Sequence, residues 1–157
     1  MQLSAIEKSK LEKVREYLRL FTSDTEELNR LLRRKEISDK QMDLAIQLTI
    51  SDWNTTTPRL GFVTLGSFPS FYLLIHGATL QMLKMAGIYQ SRNELTYSSG
   101  GSSFIRANKT AYYQSWIQNL AADYEQKKLN LKIQSNVDTA MNGTGFHSEY
   151  QAVGYDW

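Results

Sequence analysis

Apolar residues recur along this chain at steps of three and four, so it reads as a run of helices. Leu11, Val14, Leu18 and Phe21 line one face over residues 4–21, with Glu7, Lys8, Lys10, Glu12, Lys13, Arg15, Glu16 and Arg19 around the rest. That spacing predicts an amphipathic helix, solvated on most of its circumference and broken at Thr22, Ser23 and Asp24. A short helix is predicted next, over residues 25–34. Asp24 or Thr25 would cap it, Glu26 and Glu27 fill its first turn, and Leu28, Leu31 and Leu32 form its face. Ser38 with Gln41 makes a capping-box pattern. Met42, Ala45, Ile46, Thr49, Ile50 and Trp53 follow at helical spacing, and Leu44 and Leu48 widen the stripe. The expectation is a helix buried on two sides and stopped by Asn54, three threonines and Pro58.

A loop with two glycines leads to a helix starting near Pro69 and running to about Gln90. Phe71, Leu74, Ile75, Ala78, Met82 and Met85 define one face, and Leu73, Leu80 and Leu83 cover others. Such an all-round apolar helix belongs at the centre of a bundle. Its small residues Gly77, Ala78, Ala86 and Gly87 allow neighbours to approach closely. LTYSS and SSFIR then flank Gly100 and Gly101, which predicts a β-hairpin over residues 94–107. A last helix is predicted over residues 108–137, with Tyr113, Trp116, Leu120, Tyr124 and Leu131 as its seam. Lys127, Lys128 and Lys132 make its far end polar enough to project from the body. Residues 138–157 lose all periodicity and hold no Lys or Arg, yet they carry Phe146, Tyr150, Val153, Tyr155 and Trp157. Aromatic content of this kind is costly in water and favoured at interfaces, so the segment reads as an arm that orders on a partner. The fold class expected is mainly α: an N-terminal helix (1–22), a helical-bundle core with a small β-hairpin (23–137), and an extended C-terminal arm (138–157).

Composition narrows the function. With 157 residues the chain fits one domain, with or without an arm. The absence of cysteine removes disulfides, thiolate metal sites and thiol nucleophiles. A net charge of +2 is small for a nucleic-acid binder. Residues 60–83 hold no Asp, Glu, Lys or Arg, but Gly61, Gly66, Pro69, His76 and Gln81 interrupt them, so a buried helix preceded by a loop is expected and not a membrane span. His76 and His147 have no partners at metal-binding or triad spacing, and no HExxH, CxxC, GxSxG or P-loop pattern occurs. His76 is expected to be a hydrogen-bonded core residue. The pairs Asp39 with Asp43 and Asp123 with Lys127 are expected on solvated faces. No enzymatic activity and no cofactor are expected. Arg30, Arg33, Arg34 and Lys35 could face DNA phosphates, although cations at a helix C-terminus need no ligand.

Two stretches, ISDKQMDLAIQLTISDWNTTTPRLG and LLIHGATLQMLKMAGIYQSRNELTYSSGG, resemble the head–tail connector (adaptor or neck) proteins of tailed bacteriophages. The later order of a hairpin, a long helix YYQSWIQNLAADYEQKKLNLK and an extended tail is similar too. The likeness covers residues 37–132 and rests on an Asp-Trp-Asn helix end before a proline, on Gln90-Ser91-Arg92-Asn93, and on Tyr97 with Gly100 and Gly101. It implies a structural virion protein, made in the host cytoplasm and sited in the neck between capsid and tail. The partners implied are further copies of itself in a ring, usually twelvefold, the portal protein, the next neck or tail component, and transiently the genomic DNA passing through. The arm residues Phe146, Tyr150, Val153, Tyr155 and Trp157 would dock on the portal or a neighbouring neck protein. Tyr97 and Phe104 would place hairpin contacts, and Arg30, Arg33 and Arg34 would face the DNA channel. The alternative from the residues alone is a small helical DNA-binding or regulatory module. Its basis is residues 1–35, where nine Lys and Arg stand against six Asp and Glu.

Overall fold

The structure, a computed structural model, describes residues 5–28, 35–59, 61–92, 97–99, 102–104 and 110–141. It is mainly helical, with α1 (Ala5–Thr22), α2 (Asp39–Thr55), α3 (Phe71–Arg92) and α4 (Thr110–Ala140). Strand β1 (Tyr97–Ser99) pairs antiparallel with β2 (Ser102–Phe104), with Tyr97 opposite Phe104. Gly100 and Gly101 lie outside the described residues, as does most of the short helix expected over 25–34, of which residues 26–28 form a turn.

The capping box at Ser38 is formed as its sequence predicts. Gln41 N–H donates to the Ser38 hydroxyl, and the Gln41 side chain accepts from Ser38 N–H at 2.9 Å. Helix α1 ends differently from a simple break. Ser23 adopts a left-handed φ of 54°, so Ser23 N–H reaches Leu20 O at 3.2 Å and Asp24 N–H reaches Arg19 O at 3.0 Å. These two bonds make a Schellman motif, with serine where glycine is usual. The buried Asp24 carboxylate accepts from Glu36 N–H at 2.7 Å and Ile37 N–H at 3.1 Å, and so ties the end of α1 to the entry of α2.

Helix α3 is the centre, packed by α1, α2 and α4. One core gathers Val14 and Leu18 of α1, Met42, Ala45, Ile46 and Trp53 of α2, Leu73, Leu74, Ala78 and Met82 of α3, and Tyr124 of α4. The N-terminal helix thus contributes Val14 and Leu18 to this core. Two ion pairs reinforce it on α2. Arg15 grips Asp43 with two hydrogen bonds of 2.7 and 2.6 Å, and Arg19 bridges Asp24 and Asp39. Asp39 stays on the solvated face, as expected, and Asp43 is partly buried; both are also cross-helix partners, and Arg19 holds the Asp39 carboxyl below its usual range.

Gly77 explains how the layers come so close. A Cβ there would overlap the Thr49 methyl of α2 and stand 2.9 Å from the Tyr124 ring of α4. Gly87 is less tight, with Ile117 and Tyr113 both 3.8 Å from the same position.

Three burial expectations need correction. Leu44 and Leu48 are 47% and 40% exposed, because the buried arc of α2 is centred on Met42, Ala45, Ile46 and Thr49. Trp116 is 62% exposed, because the α4 seam steps through Ile117, Leu120, Ala121 and Tyr124 instead. The helix also runs on to Ala140, so residues 138–140 are helical and not the start of an arm.

Candidate functional site

Helix α4 reverses the polarity expected of it. Lys128 and Lys132 were expected to project, yet each is only 1% exposed. They follow Tyr124 at four-residue steps, so they fall on the inward stripe one and two turns later. Their long aliphatic stems fill the gap between α4 and the end of α2, and their ammonium groups find partners there.

Lys128 Nζ is 2.8 Å from Asp52 Oδ2 and 2.8 Å from a Glu125 carboxylate oxygen. Tyr124 Oη donates to the same Asp52 oxygen at 3.0 Å. Burial, with the Asp52 charge and hydrogen bond beside it, pushes the Tyr124 phenol upward, which keeps it a neutral donor. Lys132 Nζ donates to the carbonyls of Thr56 and of Pro58, the latter at 3.1 Å. The same ammonium sits 4.8 Å over the Trp53 ring, a cation–π contact. Burial lowers the Lys132 pKa, and nearby Lys128 lowers it further.

A second polar cluster lies where α1, α3 and α4 meet. The His76 ring stacks on Tyr72 at 4.2 Å and rests against Phe21 at 5.5 Å. Its buried Nδ1 has no hydrogen-bond partner and stands 3.9 Å from Asp123 Oδ2. The expected hydrogen bond is therefore missing at Nδ1. Burial and the neighbouring Lys127 charge depress the His76 pKa, and the Asp123 carboxylate offsets only part of this. Lys127 is shared between Asp123 at 2.8 Å and Tyr72 Oη at 2.9 Å.

Chemically, both clusters tie helices together. Asp52, Tyr124, Lys128 and Lys132 lock α4 to the end of α2 and its following loop, and Lys127 joins α4 to α3. Among the described residues no group of three His, Cys, Asp or Glu side chains could hold a metal ion. Also among them, no helix is long and apolar enough to cross a membrane.

No family model, curated protein or solved structure matches this chain. The residues singled out from sequence fall mostly elsewhere. Arg30, Arg33 and Arg34 lie outside the described residues, as do Phe146, Tyr150, Val153, Tyr155 and Trp157. Tyr97 and Phe104 are register partners in the strand pair.

The residues that sequence reasoning missed are Asp52, Lys128 and Lys132. A signal existed in the four-residue register that continues from Tyr124 through both lysines. It was masked because lysine ordinarily marks a solvated position.

Proposed function

We propose that this chain is a structural assembly protein, a head–tail adaptor that forms a ring beneath the portal of a tailed bacteriophage. It would join capsid to tail and line the DNA exit channel. The observation that carries the structural role is how the titratable groups are used. Arg15, Arg19, Asp24, Asp39, Asp43, Asp52 and Lys128 are engaged in ion pairs that bind one helix to another or a helix to a loop. This is the use of charge that a scaffold needs. The phage assignment itself rests on the motif likeness of residues 37–132.

On this reading the hairpin supplies a contact to a neighbour. The segment with Phe146, Tyr150, Val153, Tyr155 and Trp157 docks on the portal or an adjacent neck protein and orders as it does so. Many weak subunit contacts then act together through avidity. A chain truncated before Phe146 is expected to stay folded by circular dichroism and to lose co-sedimentation with portal particles of the same phage. Retained co-sedimentation would remove the arm from the assembly role. Negative-stain images of the full chain with portal should show ring or neck density.

A further inference from the structure

In the second polar cluster, His76 Nδ1 is buried without a hydrogen-bond partner, and a carboxylate stands just out of its reach. Nδ1 lies 3.9 Å from Asp123 Oδ2, about 1 Å beyond a hydrogen bond. That same oxygen is bonded to Lys127 Nζ at 2.8 Å, one turn further along α4. The His76 side chain is only 12% exposed, whereas those of Asp123 and Lys127 are 42% and 45% exposed. Three helices surround the imidazole. Helix α1 brings the Phe21 ring, α3 brings Tyr72, and α4 brings Asp123 and Lys127, the two charges that act on it. Lys127 is also bonded to Tyr72 Oη at 2.9 Å, so it keeps a partner on α3 when the carboxylate moves away.

We infer that Asp123 is a proton-controlled strut, which leaves Lys127 for His76 Nδ1 when the imidazole gains a proton. Protonation makes both ring nitrogens donors and puts a positive charge beside the carboxylate. A charge-assisted bond is the stronger kind, and more so where one partner is sheltered from water. The competing Asp123–Lys127 pair is exposed and lies within one helix, an arrangement that contributes little. The carboxylate has to travel only about 1 Å to change partners. The exchange turns a bond within α4 into an ion pair between α3 and α4, while Lys127 stays on Tyr72.

Burial and the Lys127 charge hold His76 below its usual range, so at neutral pH the ring is uncharged and Asp123 stays with Lys127. The exchange therefore belongs to mildly acidic conditions. The new pair offsets part of the cost of charging a sheltered ring, and the sign of the pH dependence is unchanged. The device uses contacts within one chain and does not depend on the adaptor reading.

Carboxyl-carbon and lysine-ammonium NMR signals of the full chain would be followed from pH 7.5 to pH 4.5. The chain has two histidines, and His147→Gln tells their ring signals apart. The Asp123 carboxyl and Lys127 ammonium signals are expected to shift in step with the His76 titration. Both steps should vanish in His76→Gln. Asp123→Asn, a change at an exposed position, should weaken proton binding by His76 roughly tenfold, because the charged ring loses its carboxylate. Lys127→Met should strengthen that binding and leave the Asp123 step in place. Flat Asp123 and Lys127 signals through the His76 titration would overturn the inference. So would steps that survive His76→Gln, or an Asp123→Asn chain whose His76 titrates as in the native protein.

Discussion

Gly77→Ala probes the tightest crossing of the bundle. In an isolated helix this change is favourable by about 1 kcal/mol, because alanine restricts the unfolded backbone. Here the new methyl would overlap Thr49 Cγ2 and approach Tyr124 Cε2 to 2.9 Å and Cζ to 3.1 Å. Ordinary carbon contacts are about 3.5–4.0 Å. Neither neighbour can retreat easily, since Thr49 is wholly buried and Tyr124 is 2% exposed and hydrogen-bonded to Asp52. Overpacking of this kind costs about 3 kcal/mol, at the upper end of its usual range. The net loss is then about 2 kcal/mol, or a fall in Tm of about 4–8 °C for a domain of this size. Urea unfolding followed by circular dichroism would measure it. Thr49→Ser removes the overlapping methyl while keeping the hydroxyl that donates to Ala45 O. In the Gly77→Ala background it should restore part of the loss, although alone it destabilises. A Gly77→Ala chain as stable as the native one, or an additive double variant, would refute the packing described at this crossing.

Four further outcomes follow from the same contacts. Leu18→Ala should cost about 3 kcal/mol in urea unfolding, against about 1 kcal/mol for Arg15→Ala, since a buried leucine outweighs a partly exposed ion pair even when bidentate. Asp52→Ala should cost about 3 kcal/mol by the same assay, because it strips Lys128 and Tyr124 of a shared partner and leaves Glu125 alone against a buried ammonium. Ser23→Gly should raise the urea midpoint by the equivalent of about 0.5–1 kcal/mol, because glycine adopts the left-handed φ at the end of α1 without strain. The His76 pKa is depressed, so between its native value and about 6.5 the unfolded chain holds a proton that the native state lacks. Stability should therefore climb with pH across that interval. His76→Gln should flatten the climb in urea midpoints measured from pH 5 to pH 7, and NMR should show the His76 ring titrating below 6.5.

Sequence by itself determined the helical class and the positions of the four described helices to within a few residues. Apolar spacing, the Ser38 box and the Pro58 stop act locally, so a linear reading captures them. It also identified α3 as the central helix, because no other segment is apolar on nearly every side. Which lysines are solvated was decided only by the tertiary structure. Lys128 and Lys132 look like surface residues until Asp52, the Thr56 and Pro58 carbonyls and the Trp53 ring arrive from roughly 70 positions away and give their charges partners. The same holds for Asp39 and Asp43, which become struts only once α1 lays Arg19 and Arg15 beside them. Helical periodicity ranks residues by their own polarity. Burial of a charge depends instead on a partner the chain supplies from far away, and only the fold brings the two together.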